Sequence, residues 1–144
     1  LDWYSRFVVS WALDLTLEIS FVLEAMRDAL AVATLVICNS DQGSHFTSSQ
    51  YIALFRDTPV QISMDGKGRA LDNVFTERLW RTVKYEEVYL KDYASPREAR
   101  SGLSAYLDFY NYRRLHQALD YQTPAQVYFK EGEPSTDKLA LLLS

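Results

Sequence analysis

Cysteine is almost absent from this chain, since Cys38 is the sole one among 144 residues. An internal disulfide is therefore excluded, and the usage suits a reducing compartment. Long apolar runs are missing as well. No stretch reaches the ~18 residues that a bilayer span needs, and the opening residues do not resemble a signal peptide. The reading is a soluble, cytoplasmic protein with no membrane partner. Positive charge is in deficit overall, with a formal net charge of −4, whereas most nucleic-acid-binding domains are basic. Low hydrophobicity, the mark of disorder, is absent too, because 48% of the residues are apolar. Three chemistries lack their motifs here: there is no Ser-His-Asp ordering, no phosphate-binding P-loop and no zinc-ligand spacing.

What is present is one domain's worth of chain, with neither internal repeats nor an interdomain linker. Its centre opposes its average charge. Residues 66–84 carry Lys67, Arg69, Arg78, Arg81 and Lys84 against Asp72 and Glu77, a local excess of three positive charges. Phosphate contacts need such a patch more than a basic total. Along the chain, Arg6-Phe7-Val8-Val9-Ser10-Trp11-Ala12-Leu13 has the β-branched and aromatic content of a strand, entered from a turn at Asp2-Trp3-Tyr4-Ser5. Residues 15–33 form an amphipathic helix on the stripe Leu15, Ile19, Val22, Leu23, Met26 and Leu30, with Asp14 or Thr16 as its cap. Thr34-Leu35-Val36-Ile37-Cys38 is a continuous apolar run that suits a strand buried on both faces of a parallel sheet.

A helix capped by Thr47-Ser48-Ser49 runs to about residue 56, with Tyr51, Ile52 and Phe55 facing in. Pro59 ends it, and Val60-Gln61-Ile62-Ser63-Met64 alternates like a half-buried strand. A flexible basic loop, Asp65-Gly66-Lys67-Gly68-Arg69, follows. The third helix starts near Asp72 and buries Leu71, Val74, Phe75, Leu79 and Val83. Residues 85–93 read as irregular. Ser95-Pro96-Arg97-Glu98 starts a fourth helix, with Ser as N-cap, Pro at N1 and Glu at N3. Thr123-Pro124-Ala125 starts a last helical turn, and residues 131–144 read as a tail to a core of residues 1–130. His116 is expected to pack against Tyr112 and Tyr121.

Two carboxylates stand out. Asp41 closes the buried strand, at the end where open α/β sheets bind ligands, and Glu77 sits on the third helix with 35 residues (42–76) between them. Phosphoryl transfer on nucleic acids often uses two metal ions about 4 Å apart held by carboxylates, and Mg2+ takes oxygen ligands while keeping several waters. Asn73, Glu77, Arg81 and Lys84 fall on one helical face. That face suits a metal site running into a phosphate track, with Arg81 as a fork and Lys84 as a point charge. A blander reading stays open: Asp41 as a turn residue before Gly43, and Glu77 as a solvated residue paired with Arg81.

The segments Asn39-Ser40-Asp41-Gln42-Gly43-Ser44-His45-Phe46-Thr47-Ser48, Ile62-Ser63-Met64-Asp65-Gly66-Lys67-Gly68-Arg69 and Leu71-Asp72-Asn73-Val74-Phe75-Thr76-Glu77-Arg78-Leu79-Trp80 closely resemble bacterial insertion-sequence transposases with a retroviral-integrase-like core. Tyr110-Asn111-Tyr112-Arg113-Arg114-Leu115-His116-Gln117-Ala118-Leu119 and Thr123-Pro124-Ala125 resemble that family's C-terminal signature. The resemblance implies an α/β, ribonuclease-H-like mixed sheet flanked by helices and an Asp-Asp-Glu triad whose second and third members match Asp41 and Glu77. It implies Mg2+ or Mn2+ as cofactor, cleavage of transposon ends, and their joining to target DNA by attack of a 3′-hydroxyl. DNA contacts fall to Lys67, Arg69, Asn73, Arg81 and Lys84, in a bacterial protein.

In the family the first catalytic Asp lies upstream of an Asp-aromatic-Tyr-Ser-Arg turn, and here that turn matches Asp2-Trp3-Tyr4-Ser5-Arg6. The expectation is thus an N-terminally truncated core lacking its first strand, most of its second and one metal ligand. Such a chain is expected to be inactive alone, with strand edges open to pairing by another copy in a homo-oligomer. A non-catalytic DNA-binding or assembly remnant and a purely hydrolytic nuclease of the same fold are the alternatives.

Overall fold

Ile37–Ser40 is the strand on which the rest is assembled. The structure, a computed structural model, describes residues 1–64 and 74–130 and the backbone of 140–143. In chain order its elements are α1 (Ser20–Val32), β1 (Ile37–Ser40), α2 (Ser49–Ala53), β2 (Gln61–Met64), α3 (Val74–Val83), α4 (Pro96–Tyr112), α5 (Pro124–Lys130) and β3 (Ala140–Leu143). The sheet order is β2-β1-β3. Both pairings are parallel, with Ser40 opposite Met64 on one side and Leu143 on the other. Both edges of β1 are paired from within the chain.

The buried strand lies three residues later than its apolar run suggested. Ile37 is partly exposed, while Cys38, Asn39 and Ser40 are buried. Cys38 Sγ lies 3.3 Å from the Tyr51 hydroxyl, and burial pushes its thiol pKa up, which makes it an inert core thiol. Around this strand, Val22, Leu23, Met26 and Ala29 of α1 meet Leu35, Phe46, Tyr51 and Phe55 in a first core. Ile52, expected inward, is exposed. The helix α2 is short, begins at the Ser48 cap as expected, and turns only Tyr51 into the core.

A second core joins Leu79 and Val83 of α3 to Tyr106, Leu107 and Tyr110 of α4, with Leu1 and Val8. The cap of α4 is as read: Ser95 Oγ accepts from the Glu98 amide at 3.2 Å, with Pro96 in the first turn. Past α3 the chain was expected to be irregular. It instead continues as a π turn over Lys84–Val88, closed by the Tyr89 amide donating to the Lys84 carbonyl at 2.8 Å. Glu87 is buried there, bonded by the Tyr93 hydroxyl and paired with Lys91 at 2.8 Å. The neighbouring Glu86 accepts two bonds from the Arg114 guanidinium, at 3.0 and 2.6 Å, and one from the Tyr106 hydroxyl at 2.6 Å. His116 stacks edge-on to Tyr110, not to the two tyrosines expected, at 4.9 Å between ring centroids.

Two expectations for the first 33 residues fail. Residues 6–13 belong to no strand, and Arg6 has a left-handed backbone with φ of 65°. The local composition suits β structure, yet the backbone of Val8 is satisfied by a side chain instead of a ladder. Its amide donates to Asn111 Oδ1 at 2.9 Å, and its carbonyl accepts from Asn111 Nδ2 at 3.0 Å. The turn before it holds as read, closed by the Asp2 amide donating to the Phe7 carbonyl at 2.8 Å. The first helix begins at Ser20, five residues later than the apolar stripe implies, and leaves Leu15 and Leu17 exposed. Asp14 Oδ1 accepts from the Thr16 amide at 2.9 Å and so shapes a turn instead of capping the helix. Among the described residues no helix is long and apolar enough to cross a membrane.

Two outcomes are expected from these anchors. Asn111→Ala strips the partners from the buried N–H and C=O of Val8, so the urea midpoint should fall by the equivalent of about 1–3 kcal/mol. The Arg114 guanidinium holds the Glu86 carboxyl below its ordinary value of 4.5. The pair's contribution is therefore full above that pH and disappears as pH falls through and beneath it. The stability gap between wild type and Glu86→Gln, read by thermal unfolding, should be open near neutrality and close in acid.

Candidate functional site

Asp41 follows Ser40 directly and so stands at the C-terminal end of β1. Its carboxylate is half-buried, and its Oδ1 accepts from the Gly43 amide at 2.7 Å. That bond orients the carboxylate at the cavity's edge. A Cβ at position 43 would come within 2.8 Å of Asp41 Oδ1, so any larger residue there must push the carboxylate aside. His45 does not join the carboxylate. Its Nε2 lies 2.7 Å from the Leu17 carbonyl, and its ring sits against Phe21, so it pins the approach to α1.

Asp41 opens onto a cavity of about 420 Å3 between the two cores. The walls are mostly apolar, with Trp11, Phe21, Phe46 and Leu107 among them, and Thr76, Leu79 and Trp80 of α3 close one side. Thr76 is buried, and its Oγ1 has no hydrogen-bond partner. Pattern reading missed this residue, since a threonine inside a helical stripe gives no sign of which face it will occupy.

The same helix carries the second carboxylate outward. Glu77 is exposed and borders a shallower cavity of about 520 Å3 together with Trp80, Arg81, Lys84, Tyr85 and Tyr89. Trp80 borders both cavities. Asp41 and Glu77 thus border different cavities, with Trp80 common to both. Arg81 and Lys84 follow Glu77 along the exposed face as the spacing required. The Glu77–Arg81 pair that this spacing permits does not form; the ion pairs among the described residues are Lys91–Glu87 and Arg114–Glu86. Lys67, Arg69 and Asn73 lie outside the described residues. The three aromatic side chains on this face were not singled out from the sequence. Counting in steps of three and four from Glu77 finds Trp80 and Tyr85 beside the cations, and Tyr89 one turn on.

With this geometry in view, the likenesses are informative. The family model "Integrase core domain" matches residues 58–124, a span that includes Glu77, Arg81 and Lys84. The transposase for insertion sequence element IS904 of Lactococcus lactis is 30% identical over 128 residues, which is 86% of this chain and 51% of that protein. The transposase for IS629 of Shigella sonnei is 26% identical, over 88% of this chain and 43% of its own length. The chain spans about half the length of these relatives. Among solved structures, the catalytic core domain of BIV integrase superposes with a TM-score of 0.70 at 18% identity, over 89% of this chain and 81% of that one. The fold is therefore the ribonuclease-H-like fold of integrase cores. Residues 58–124 are thus similar to integrase core domains, and the relatives that the chain resembles are transposases of insertion sequences.

Gly43→Ala should displace the Asp41 carboxylate without unfolding the chain. A crystal structure of the variant is expected to show the 2.7 Å bond between the residue 43 amide and Asp41 Oδ1 broken, and a retained bond would show that the loop absorbs the added carbon.

Proposed function

We propose that the chain is core sequence of a DNA transposase, whose chemistry is metal-dependent polynucleotidyl transfer: cleavage of transposon ends and their joining to target DNA. The observation that carries this reading is the placement of Asp41 at the end of β1 beside the helix that bears Glu77, Arg81 and Lys84 on its exposed face. Asp41 and Glu77 are the residues that would hold Mg2+ or Mn2+. Their oxygen donors suit these hard cations in kind. A bound ion supplies an activated nucleophile and steadies the leaving oxygen of the phosphodiester. The residues of the chain do the rest. Gly43 fixes the direction of the Asp41 carboxylate, Arg81 grips a phosphate in a fork, and Lys84 adds a mobile charge. Lys67, Arg69 and Asn73 are proposed to extend the same DNA track. Residues 1–130 form the core in this reading, acting in a homo-oligomer in the cytoplasm of a bacterium.

One observation favours a second reading of the chain taken by itself. Among the described residues no group of three His, Cys, Asp or Glu side chains is placed to hold a metal ion. Asp41 and Glu77 border different cavities and have no third carboxylate beside them among the described residues, so the isolated chain is proposed to bind DNA and to hold a divalent ion only weakly, without joining DNA ends. The test is fluorescence anisotropy with a labelled duplex across a salt series, run beside Mn2+ broadening of the NMR spectrum. Arg81→Ala and Lys84→Ala should each lower the slope of log affinity against log salt by about 1. Asp41→Asn and Glu77→Gln should abolish local Mn2+ broadening while leaving duplex affinity in place. Joining of labelled ends by the purified chain with magnesium would overturn the inactive reading. Unchanged salt slopes would overturn the role of the two cations.

A further inference from the structure

The outer face of α3 presents something that contacts to a duplex backbone do not use. Trp80, Tyr85 and Tyr89 are 44%, 62% and 65% exposed, interleaved with Arg81 and Lys84 along a single cavity that starts at Glu77. The π turn brings this about. By inserting a residue into the helical repeat after Val83, it lets the Tyr89 ring return against Tyr85, with ring centroids 5.3 Å apart and edge to face. Arg81 lies over the Tyr85 ring, 5.8 Å from its centroid. Exposed aromatic side chains clustered in this way mark an interaction surface.

Charge decides what kind of surface it is. The carboxylates that follow in sequence, Glu86 and Glu87, are withdrawn from the face and satisfied elsewhere, by Arg114 and Tyr106 and by Lys91 and Tyr93 respectively. Arg81 and Lys84 have no carboxylate partner among the described residues. Two cations with no ion-pair partner among the described residues, set among three aromatic side chains, suit a polyanion that also offers flat apolar rings. In duplex DNA those rings are stacked on one another and unavailable, so the match is to nucleotides that are not base-paired.

We propose that the Trp80–Tyr85–Tyr89 face is a stacking platform for unpaired nucleotides at a DNA end. Bases stack on the aromatic side chains, Arg81 and Lys84 hold the intervening phosphates, and the strand terminus is directed toward Glu77. The platform rests on the reading of the Glu77 site as one that handles DNA ends, and it names the form of DNA that site prefers.

The experiment compares a blunt duplex with the same duplex carrying a short single-stranded overhang that contains 2-aminopurine, using the full 144-residue chain. Affinity is read by anisotropy and stacking by 2-aminopurine quenching. Wild type should favour the overhang by on the order of tenfold, as stacking of one or two bases provides, and should quench the probe. Tyr85→Leu/Tyr89→Leu should lose both the preference and the quench while keeping blunt-duplex affinity, and Tyr85→Phe/Tyr89→Phe should retain all three. Both positions are exposed, and unchanged circular dichroism and melting temperature will establish that the variants fold. Equal affinity for the two DNAs, or quenching that survives the leucine variant, would overturn the platform and leave the DNA reading standing. Binding to neither DNA would overturn both. A leucine variant that changes the oligomeric state by sedimentation, with DNA binding intact, would assign the face to a second copy of the chain and overturn the proposal.

Discussion

The structure depends on Ile37–Ser40 being paired along both edges. Parallel strands meet only through long connections, so the pairing with Gln61–Met64 commits the intervening chain to pack α2 over the sheet. The pairing with Ala140–Leu143 draws the far end of the chain to the same strand. With its backbone satisfied on both sides, the strand can be buried through Cys38, Asn39 and Ser40 and still deliver Asp41 to the surface of a cavity. A carboxylate held this way is oriented by the strand it ends and by the Gly43 amide. Its neighbours on the helices do not fix it.

The helix α3 works on two sides at once. Its inner side, through Leu79 and Val83, belongs to the second core, and Thr76 faces the cavity that Asp41 also borders. Its outer side carries Glu77, Trp80, Arg81 and Lys84 to solvent. A helix offers both because residues three and four apart share a face while those one apart do not. The π turn then widens the exposed side and buries Glu87 at its back. The ion pairs of Glu86 and Glu87 keep those two carboxylates off the outer face, where Arg81 and Lys84 outnumber Glu77 in a chain of net charge −4.

Much of this was legible in the residues. Ser48 and Ser95 cap the helices they were expected to cap, because a cap is a local hydrogen bond between residues three apart. The place of Asp41 after a buried strand, and of Glu77, Arg81 and Lys84 along one helical face, followed from periodicity. What misled was composition without context. The run from Arg6 to Leu13 has strand chemistry, but its Val8 is bonded by Asn111, 103 residues away in sequence. The stripe from Leu15 promised five further residues of helix, yet nothing in the structure covers Leu15 or Leu17. The partner of Glu86 is Arg114, again a long-range pairing that no local pattern announces.

By itself, then, the sequence determined the identities and local settings of the carboxylates, the cations and the caps, since these rest on bonds and spacings within a few residues. Only the tertiary structure decided three other things: that Ala140–Leu143 would pair with Ile37–Ser40, that Thr76 would be buried beside the cavity of Asp41, and that Trp80 would border both that cavity and the one beside Glu77. Each depends on which segments, distant in the chain, come to share a surface. That choice is made by the packing of whole elements, and no window of neighbouring residues contains it.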